Sequence, residues 1–325
     1  MHIPDGFLSA RVALGYGALS ALGLGAACLR LRAQRERGAS ALFGVSAAFV
    51  FAAQMVNFPI AAGTSGHLVG SALAGALLGL PGALLVMSAV TIMQCFVFAD
   101  GGVFALGANV FNLSLVGCVV GYCCYRLLCG RAPSPTRRVA AVAFAGWCAT
   151  LAGALSCAGQ LSLSGAGRLF VLLPTMLGVH ALVGVGEALV SALVVASVLR
   201  FRPDLLENGA VLGPRARPRT TAIYAGLGLS LAVVALLAPF ADAAPDGFSR
   251  VTEALGLRAS AASPWLAPLA EYGVPGVVSG VLATVLAGCI GTCLLFGLCW
   301  LLASALVPRS NGASEPSSVA VESSG

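Results

Sequence analysis

Lysine is missing altogether: all 18 basic residues of the 325-residue chain are arginine. A nucleotide-binding P-loop needs a lysine after its glycines, so the chain carries no standard one. A pyridoxal Schiff base, which needs a lysine amine, is excluded as well. Charge of either sign is scarce, at 9% of residues, against about 25% in a soluble domain. Neither a Cys-x-x-Cys pair nor a His-Glu-x-x-His motif occurs, which argues against an intramembrane metalloenzyme. The eleven cysteines all fall in or beside apolar stretches and read as small buried hydrophobes.

What remains is apolar. Hydrophobic residues make up 58% of the chain and the mean hydropathy is +0.95. So little charge cannot cover a water-facing surface, so lipid is the solvent. Long apolar runs without strict alternation predict helices, not a transmembrane barrel. The expected fold class is an all-α polytopic membrane protein, with spans near 8–30, 40–58, 67–80, 83–99, 103–129, 139–163, 169–200, 221–240 and 275–306. Residues 67–99 as one helix would be roughly 50 Å long. Pro81-Gly82 is expected to break them into two short crossings, or into a hairpin packed inside protein.

Arginine placement tests this count, because positive residues collect on the cytoplasmic side. With the amino terminus outside, the inner loops hold Arg30, Arg32, Arg35, Arg37, Arg126, Arg131, Arg137, Arg138, Arg200, Arg202, Arg215, Arg217, Arg219 and Arg309. The outer side holds only Arg11, Arg168, Arg250 and Arg258. The first span can direct insertion, and the start of the chain is expected to stay in the mature protein. Four regions follow: a membrane domain over 1–200, a Pro- and Arg-rich cytoplasmic linker over 201–220, a two-helix domain over 221–306 with an outer loop at 241–274, and a polar tail over 307–325 expected to be disordered. No short-period tandem repeat is evident.

The chain has three histidines, His2, His67 and His180, and this topology puts all of them in the outer half. A bulky residue at position 2 spares Met1 from removal. The Met1 amine, the His2 amide nitrogen and the His2 imidazole can then chelate one metal in a plane, and His67 would complete four nitrogens. Such a set suits Ni²⁺ or Cu²⁺. The competing reading makes His2 a surface residue and His67 a satisfied helix-end histidine. Asn57, Gln94, Asp100, Asn109 and Asn112 fall at the same level. They suit a shell that orients the imidazoles and gates the site, or else helix-to-helix hydrogen bonding. His180 and Glu187 lie two turns apart on one helix face, where a membrane-buried Glu is a functional candidate. Span one carries a small-residue stripe, Ser9, Ala13, Gly17, Ala21 and Gly25, able to dock a partner helix.

Several motifs in order, "MHIPDG", "GTSGHLVG", "QCFVFADGG" with "LGANVFN", and "HALVGVGEAL", resemble the substrate-binding membrane subunit of nickel/cobalt energy-coupling-factor (ECF) transporters, the CbiM/NikM type. The resemblance covers residues 1–200. The remainder, with "APDGFSRV" and "YGVPGVVSGVLATVLAGCIGT", resembles the small CbiN/NikN partner subunit fused behind it, with Phe248-Ser249 where that subunit usually has Leu-Glu. The resemblance implies a seven-helix bundle with two further transmembrane helices. It also implies a metal held by nitrogens of Met1, His2 and His67. Ni²⁺ or Co²⁺ would then be the transported substrate, with no catalytic cofactor, and a transmembrane scaffold subunit and separate ATPase subunits would be the partners. The setting would be a bacterial or archaeal cell membrane, with no nucleic acid involved. A membrane metal receptor or sensor that binds without transporting is the alternative.

Overall fold

The computed structural model describes residues 1–33, 40–61, 63–207, 220–260, 263 and 265–306. Most of the expected linker and all of the expected tail therefore lie outside the described residues.

Helices dominate, as the composition requires. In chain order they are α1 (Ala10–Ala33), α2 (Ser40–Gln54), α3 (Ser71–Phe98), α4 (Leu106–Val110) continuing through a π-helical turn (Phe111–Val116) into α5 (Gly117–Cys129), α6 (Pro135–Leu163), α7 (Leu169–Phe201), the single turn α8 (Asp204–Glu207), α9 (Thr220–Leu236), the short α10 (Gly247–Ala254) and α11 (Gly280–Leu306). Among the described residues, seven stretches are long and apolar enough to cross a membrane: α1, α3, α4 with α5, α6, α7, α9 and its extension, and α11. The chain is thus a polytopic helical membrane protein. A small antiparallel hairpin, β1 (Phe58–Ala61) and β2 (Thr64–Gly66), leads into His67.

The expected break in residues 67–99 is real, but it sits at Gly79 and not at Pro81-Gly82. Gly79 adopts φ 68° and ψ 173°, a conformation open mainly to glycine. Pro81 begins the limb that follows, where its missing N–H costs little. The chain turns back on itself there. Gln54, the last residue of α2, donates to Val69 O at 2.8 Å and accepts from Gln94 Nε2 at 2.8 Å. The two ends of α3 therefore lie at one level. Its middle, at Leu78 and Gly82, packs on Phe43 near the start of α2. The segment is a hairpin inside the bundle, so the chain leaves it on the side where it entered. Both limbs bury most of their surface, which allows apolar residues to be small and tightly fitted.

The π-turn has a counterpart in the same packing. An extra residue per turn frees backbone carbonyls. Ser71 Oγ takes up Leu113 O at 2.6 Å, and Ser114 Oγ, which accepts from Ser88, donates to Leu84 O at 3.0 Å. Asn112, within that turn, makes a reciprocal amide pair with Gln160 of α6, both bonds 2.8 Å. Polar side chains here join helices, the use that competes with function in a membrane interior.

One end of the bundle gathers residues 1–9, the β1–β2 hairpin, the 99–105 turn and the strap at 241–274 between α9 and α11. The other end carries Arg30, Arg32, Arg126, Arg131, Arg137, Arg138, Arg200 and Arg202. The strap is tied down at many points: Asp242 N to Asn57 O at 2.9 Å, Ser260 N to Gly6 O at 2.9 Å, Leu269 N to Val97 O at 2.9 Å, and Trp265 Nε1 to Phe96 O at 2.8 Å.

The small-residue stripe of α1 serves the chain itself at its centre. A Cβ on Gly107 would lie 2.3 Å from Gly17 Cα, so α1 and α4 meet backbone to backbone. Ser20 Oγ completes the contact, donating to Gly107 O at 2.7 Å. This corrects the expectation that Gly17 is free for a partner. Ser9, Ala21 and Gly25 are exposed, and a Cβ on Gly25 would meet nothing within 4 Å.

Candidate metal site at the amino terminus

The first residues do not trail in solvent. Met1, His2 and Ile3 are buried, and the Met1 side chain enters between α6 and α7 against a cluster that includes Ala154, Cys157, Leu161, Met176 and Phe248. Gly153 makes room, since a Cβ there would lie 2.7 Å from Met1 Cε.

Backbone bonds fix the segment. Asn109 mimics a neighbouring strand: Ile3 N donates to its Oδ1 at 2.8 Å and its Nδ2 donates to Ile3 O at 3.0 Å. Gly102 N also donates to Ile3 O, at 2.9 Å. Asp5 accepts from Val103 N at 3.0 Å, Phe104 N at 2.8 Å and Ala105 N at 3.3 Å. It thereby satisfies the donors of the 103–105 turn that leads into α4. The two glycines of "ADGG" are required by this approach. Gly101 has φ 95°, and a Cβ on Gly102 would lie 2.3 Å from Asp5 N.

Thus positioned, the Met1 amine lies 3.2 Å from His67 Nε2. The His2 and His67 rings face each other with centroids 6.0 Å apart and planes 14° from parallel. His67 Nδ1 bonds its neighbour's carbonyl, Leu68 O, at 2.9 Å, which leaves Nε2 for the amine or an ion. His2 Nδ1 lies 3.0 Å from Asp100 Oδ1, and its Nε2 is buried without a hydrogen-bond partner. A chelate through His2 Nδ1 would need the ring to turn that atom from Asp100 toward the amine. No group of three or more His, Cys, Asp or Glu side chains forms a metal cage among the described residues. The donors here are of another kind: a terminal amine, a peptide nitrogen and two imidazoles.

The electrostatics suit a cation. Burial pushes the His67 imidazole down to about 4, helped by the Met1 ammonium and by His2, so His67 is neutral and its lone pair available. Burial works against the charge of Asp100, but His2 beside it and the Tyr272 hydroxyl, which donates to Oδ2 at 2.9 Å, outweigh that and hold it below the usual carboxylate range. Asp246 behaves alike: burial opposes its charge, while the Met1 ammonium at 3.1 Å and the Ser249 N–H hold it low. Two carboxylates thus stay ionised beside the Met1 amine and the His2 imidazole.

The other expected residues sort by contact. Glu187 reaches the segment after His67, accepting from Val69 N and from Gly70 N at 3.0 Å. It holds the loop that leads from His67 into α3. Gln94 carries the 99–102 turn, its carbonyl accepting from Asp100 N at 3.0 Å. Asn57 contributes its backbone carbonyl to the strap. Asn112 bonds Gln160, away from the imidazoles. His180 bonds Met176 O at 2.8 Å and packs under Gly247. Sequence reasoning missed Asp5, Gln54 and Tyr272 and left the role of Asp246 open. One signal was there: Pro4-Asp5-Gly6-Phe7 and Pro245-Asp246-Gly247-Phe248 are the same tetrapeptide.

With this geometry in view, the similarity to known proteins is informative. Residues 2–205 match the CbiM family model, described as the cobalt uptake substrate-specific transmembrane region. A putative fused nickel transport protein NikMN of Archaeoglobus fulgidus is 39% identical over 92% of this chain and 96% of its own length. The fused nickel transport protein NikMN of Rhodobacter capsulatus is 29% identical over 91% and 95%. A crystal structure of a truncated transition metal transporter superposes with a TM-score of 0.56 at 30% identity, covering 62% of this chain and 99% of that one. The similarity to fused relatives runs through the strap and α11, so it includes both parts of the sequence. The chain belongs to the CbiM family and is a multi-pass metal transport protein.

Proposed function

We propose that the chain is the substrate-specific component of an energy-coupling-factor transporter, and that it takes up Ni²⁺ or Co²⁺ through a site at the outer face. The ligands are the Met1 amine, the His2 amide nitrogen, the His2 imidazole and the His67 imidazole. The observation that carries this reading is the meeting of residue 1 with residue 67: a chain terminus is threaded into a buried pocket so that its amine faces a neutral imidazole at 3.2 Å. Burying a charged terminus costs free energy, and placing its amine beside two imidazoles and a carboxylate gives the burial a purpose in holding a dication. Four nitrogens in a plane favour Ni²⁺ over Co²⁺ and exclude Mg²⁺, which takes oxygen ligands.

Asp100, with Tyr272 behind it, orients His2. Glu187 orients the loop of His67, and Asn109 and Asp5 hold residues 1–5 in place. Such outer contacts set ligand direction. Residues 1–200 form the metal-binding domain, 201–220 a cytoplasmic linker, 221–306 the two-helix part with its outer strap, and 307–325 a polar cytoplasmic tail. The amino terminus lies outside, because the arginine-rich end is opposite the site. ATP hydrolysis belongs to partner ATPase subunits, coupled through a scaffold subunit that packs on the exposed face of α1, where Ala21 and Gly25 permit close approach.

The test is an amino-terminal extension. Residues added before Met1 convert its amine to an amide and should abolish high-affinity nickel binding, whereas a tag after Gly325 should not. Equal binding by the two forms defeats the chelate. Labelled-metal uptake in cells with and without the ATPase subunits tests the transport role.

A further inference from the structure

Asp246 lies in the strap, far in sequence from the three expected metal-binding residues, yet its Oδ2 is 3.1 Å from the Met1 amine. Several anchors fix it there. Ser65, two residues before His67, donates from N to Pro245 O at 3.0 Å and from Oγ to Ala244 O at 2.7 Å. Asp246 Oδ1 caps α10 by accepting from Ser249 N at 2.9 Å. Gly247 lies so close to His180 that a Cβ would be 3.0 Å from Cε1 and Nε2 of the ring. Phe248 is 1% exposed and meets Phe7 edge to face. The backbone on both sides is thus immobilised, one carboxylate oxygen is used locally, and the other is aimed at the amine.

From this geometry we propose that Asp246 is a positioning residue of the metal site, supplied by the second part of the chain: it holds the Met1 amine toward His67 and is the counter-charge of the bound dication. The inference rests on the reading of Met1, His2 and His67 as ligands. In the ion's absence the amine is shared between His67 Nε2 at 3.2 Å and Asp246 Oδ2 at 3.1 Å, so it is aligned before the ion arrives. With a dication in the pocket, the same carboxylate offsets a positive charge that burial would otherwise make costly. Ala244, Pro245 and Asp246 join the strap to β2 and to the amino terminus at one point, so the site is incomplete without the chain's second part.

The role in capping α10 is separable from the role of the charge. Asn caps a helix as well as Asp does, so Asp246→Asn keeps the cap and removes only the charge. With a carboxyl-terminal tag and a free Met1, nickel titration of Asp246→Asn should show affinity reduced about 10- to 100-fold, in a protein that still folds without metal. The absorption band of the nickel complex should keep its position, because the four nitrogens are untouched. Trp265→Phe, which removes a strap hydrogen bond remote from the charge, should bind within about threefold of the parent. Affinity unchanged in Asp246→Asn, a shifted nickel band, or an equal loss in Trp265→Phe would each overturn the proposal. If Asp246→Asn does not fold, Asp246→Glu decides: retained nickel binding supports the charge, and lost binding in a folded protein refutes it. Failure of the parent protein to bind nickel would defeat the ligand reading instead, so the two failures are distinguishable.

Discussion

Phe7 and Phe248 meet edge to face with ring centroids 5.3 Å apart, and each closes a Pro-Asp-Gly-Phe tetrapeptide. The two copies use their aspartates differently. Asp5 caps the start of a neighbouring element by binding the backbone of residues 103–105, while Asp246 caps its own helix and turns its second oxygen to Met1. The aromatic pair joins the two turns into one cover over the amino terminus. One turn comes from each part of the chain.

That arrangement predicts what Asp5 contributes. Asp5→Ala leaves the donors of residues 103–105 without their acceptor and should destabilise the protein by about 1–3 kcal/mol, the range for a buried donor left unpaired. Nickel affinity should fall with it, because Ile3 and the residues before it lose an anchor. Asp5→Asn should recover most of the stability. Thermal unfolding in detergent, followed by nickel titration of each variant, measures both; an Asp5→Ala protein as stable as the parent would show the cap to be idle.

Glu187 offers a second test. Its two oxygens serve Val69 N and Gly70 N inside the bundle, and each buried donor left unpaired costs about 1–3 kcal/mol. Glu187→Ala should therefore be strongly destabilised, and Glu187→Gln, which keeps one acceptor, should lose less. Since those donors follow His67, the Gln variant should also bind nickel more weakly while folded. Unchanged affinity in folded Glu187→Gln would mean that His67 is held by other contacts.

The stripe on α1 separates into two predictions. Gly107→Ala would place a Cβ 2.3 Å from Gly17 Cα and should reduce folding and yield, whatever partners are present. Gly25→Leu faces open space. It should leave stability and nickel binding intact and reduce uptake in cells, if the scaffold subunit packs there. Normal uptake by a normally expressed Gly25→Leu protein places that contact on another face.

Much of this architecture was legible in the sequence, for physical reasons that also set the limits. Spans such as 139–163 and 169–200 show because lipid demands long apolar helices, and α6 and α7 cover them closely. The hairpin in 67–99 was foreseen as a break from its length and Pro81, but its pivot at Gly79 depends on packing against Phe43, which no local pattern encodes. His2 and His67 stood out because histidine is so rare here, and the structure brings them face to face. Asp246 and Tyr272 did not, since they reach the site from a strap whose course is set by tertiary hydrogen bonds. Small residues on α1 were legible as a stripe, yet spacing alone cannot say whether the approaching helix belongs to the same chain.

Protons are the last test. Chelation needs a neutral Met1 amine, a deprotonated His2 amide and neutral imidazoles, so binding must release protons and strengthen as pH rises. An ordinary imidazole would compete below about pH 6.5. Burial holds His67 at about 4, so protonation of this ring weakens binding only as the pH falls toward that value. Proton competition between pH 7 and 5 should therefore come from the donors other than His67, and binding should release protons throughout that window. Asp100 and Asp246 are held below the usual carboxylate range and stay charged throughout that window. Calorimetry in buffers of different ionisation enthalpy counts the protons directly. Release of two or more per nickel at pH 6 to 7, with a yellow diamagnetic complex, fits a planar site containing an ionised amide. Release of one or none, with a pale paramagnetic spectrum, would mean that the amide stays protonated and that the ion sits in another geometry.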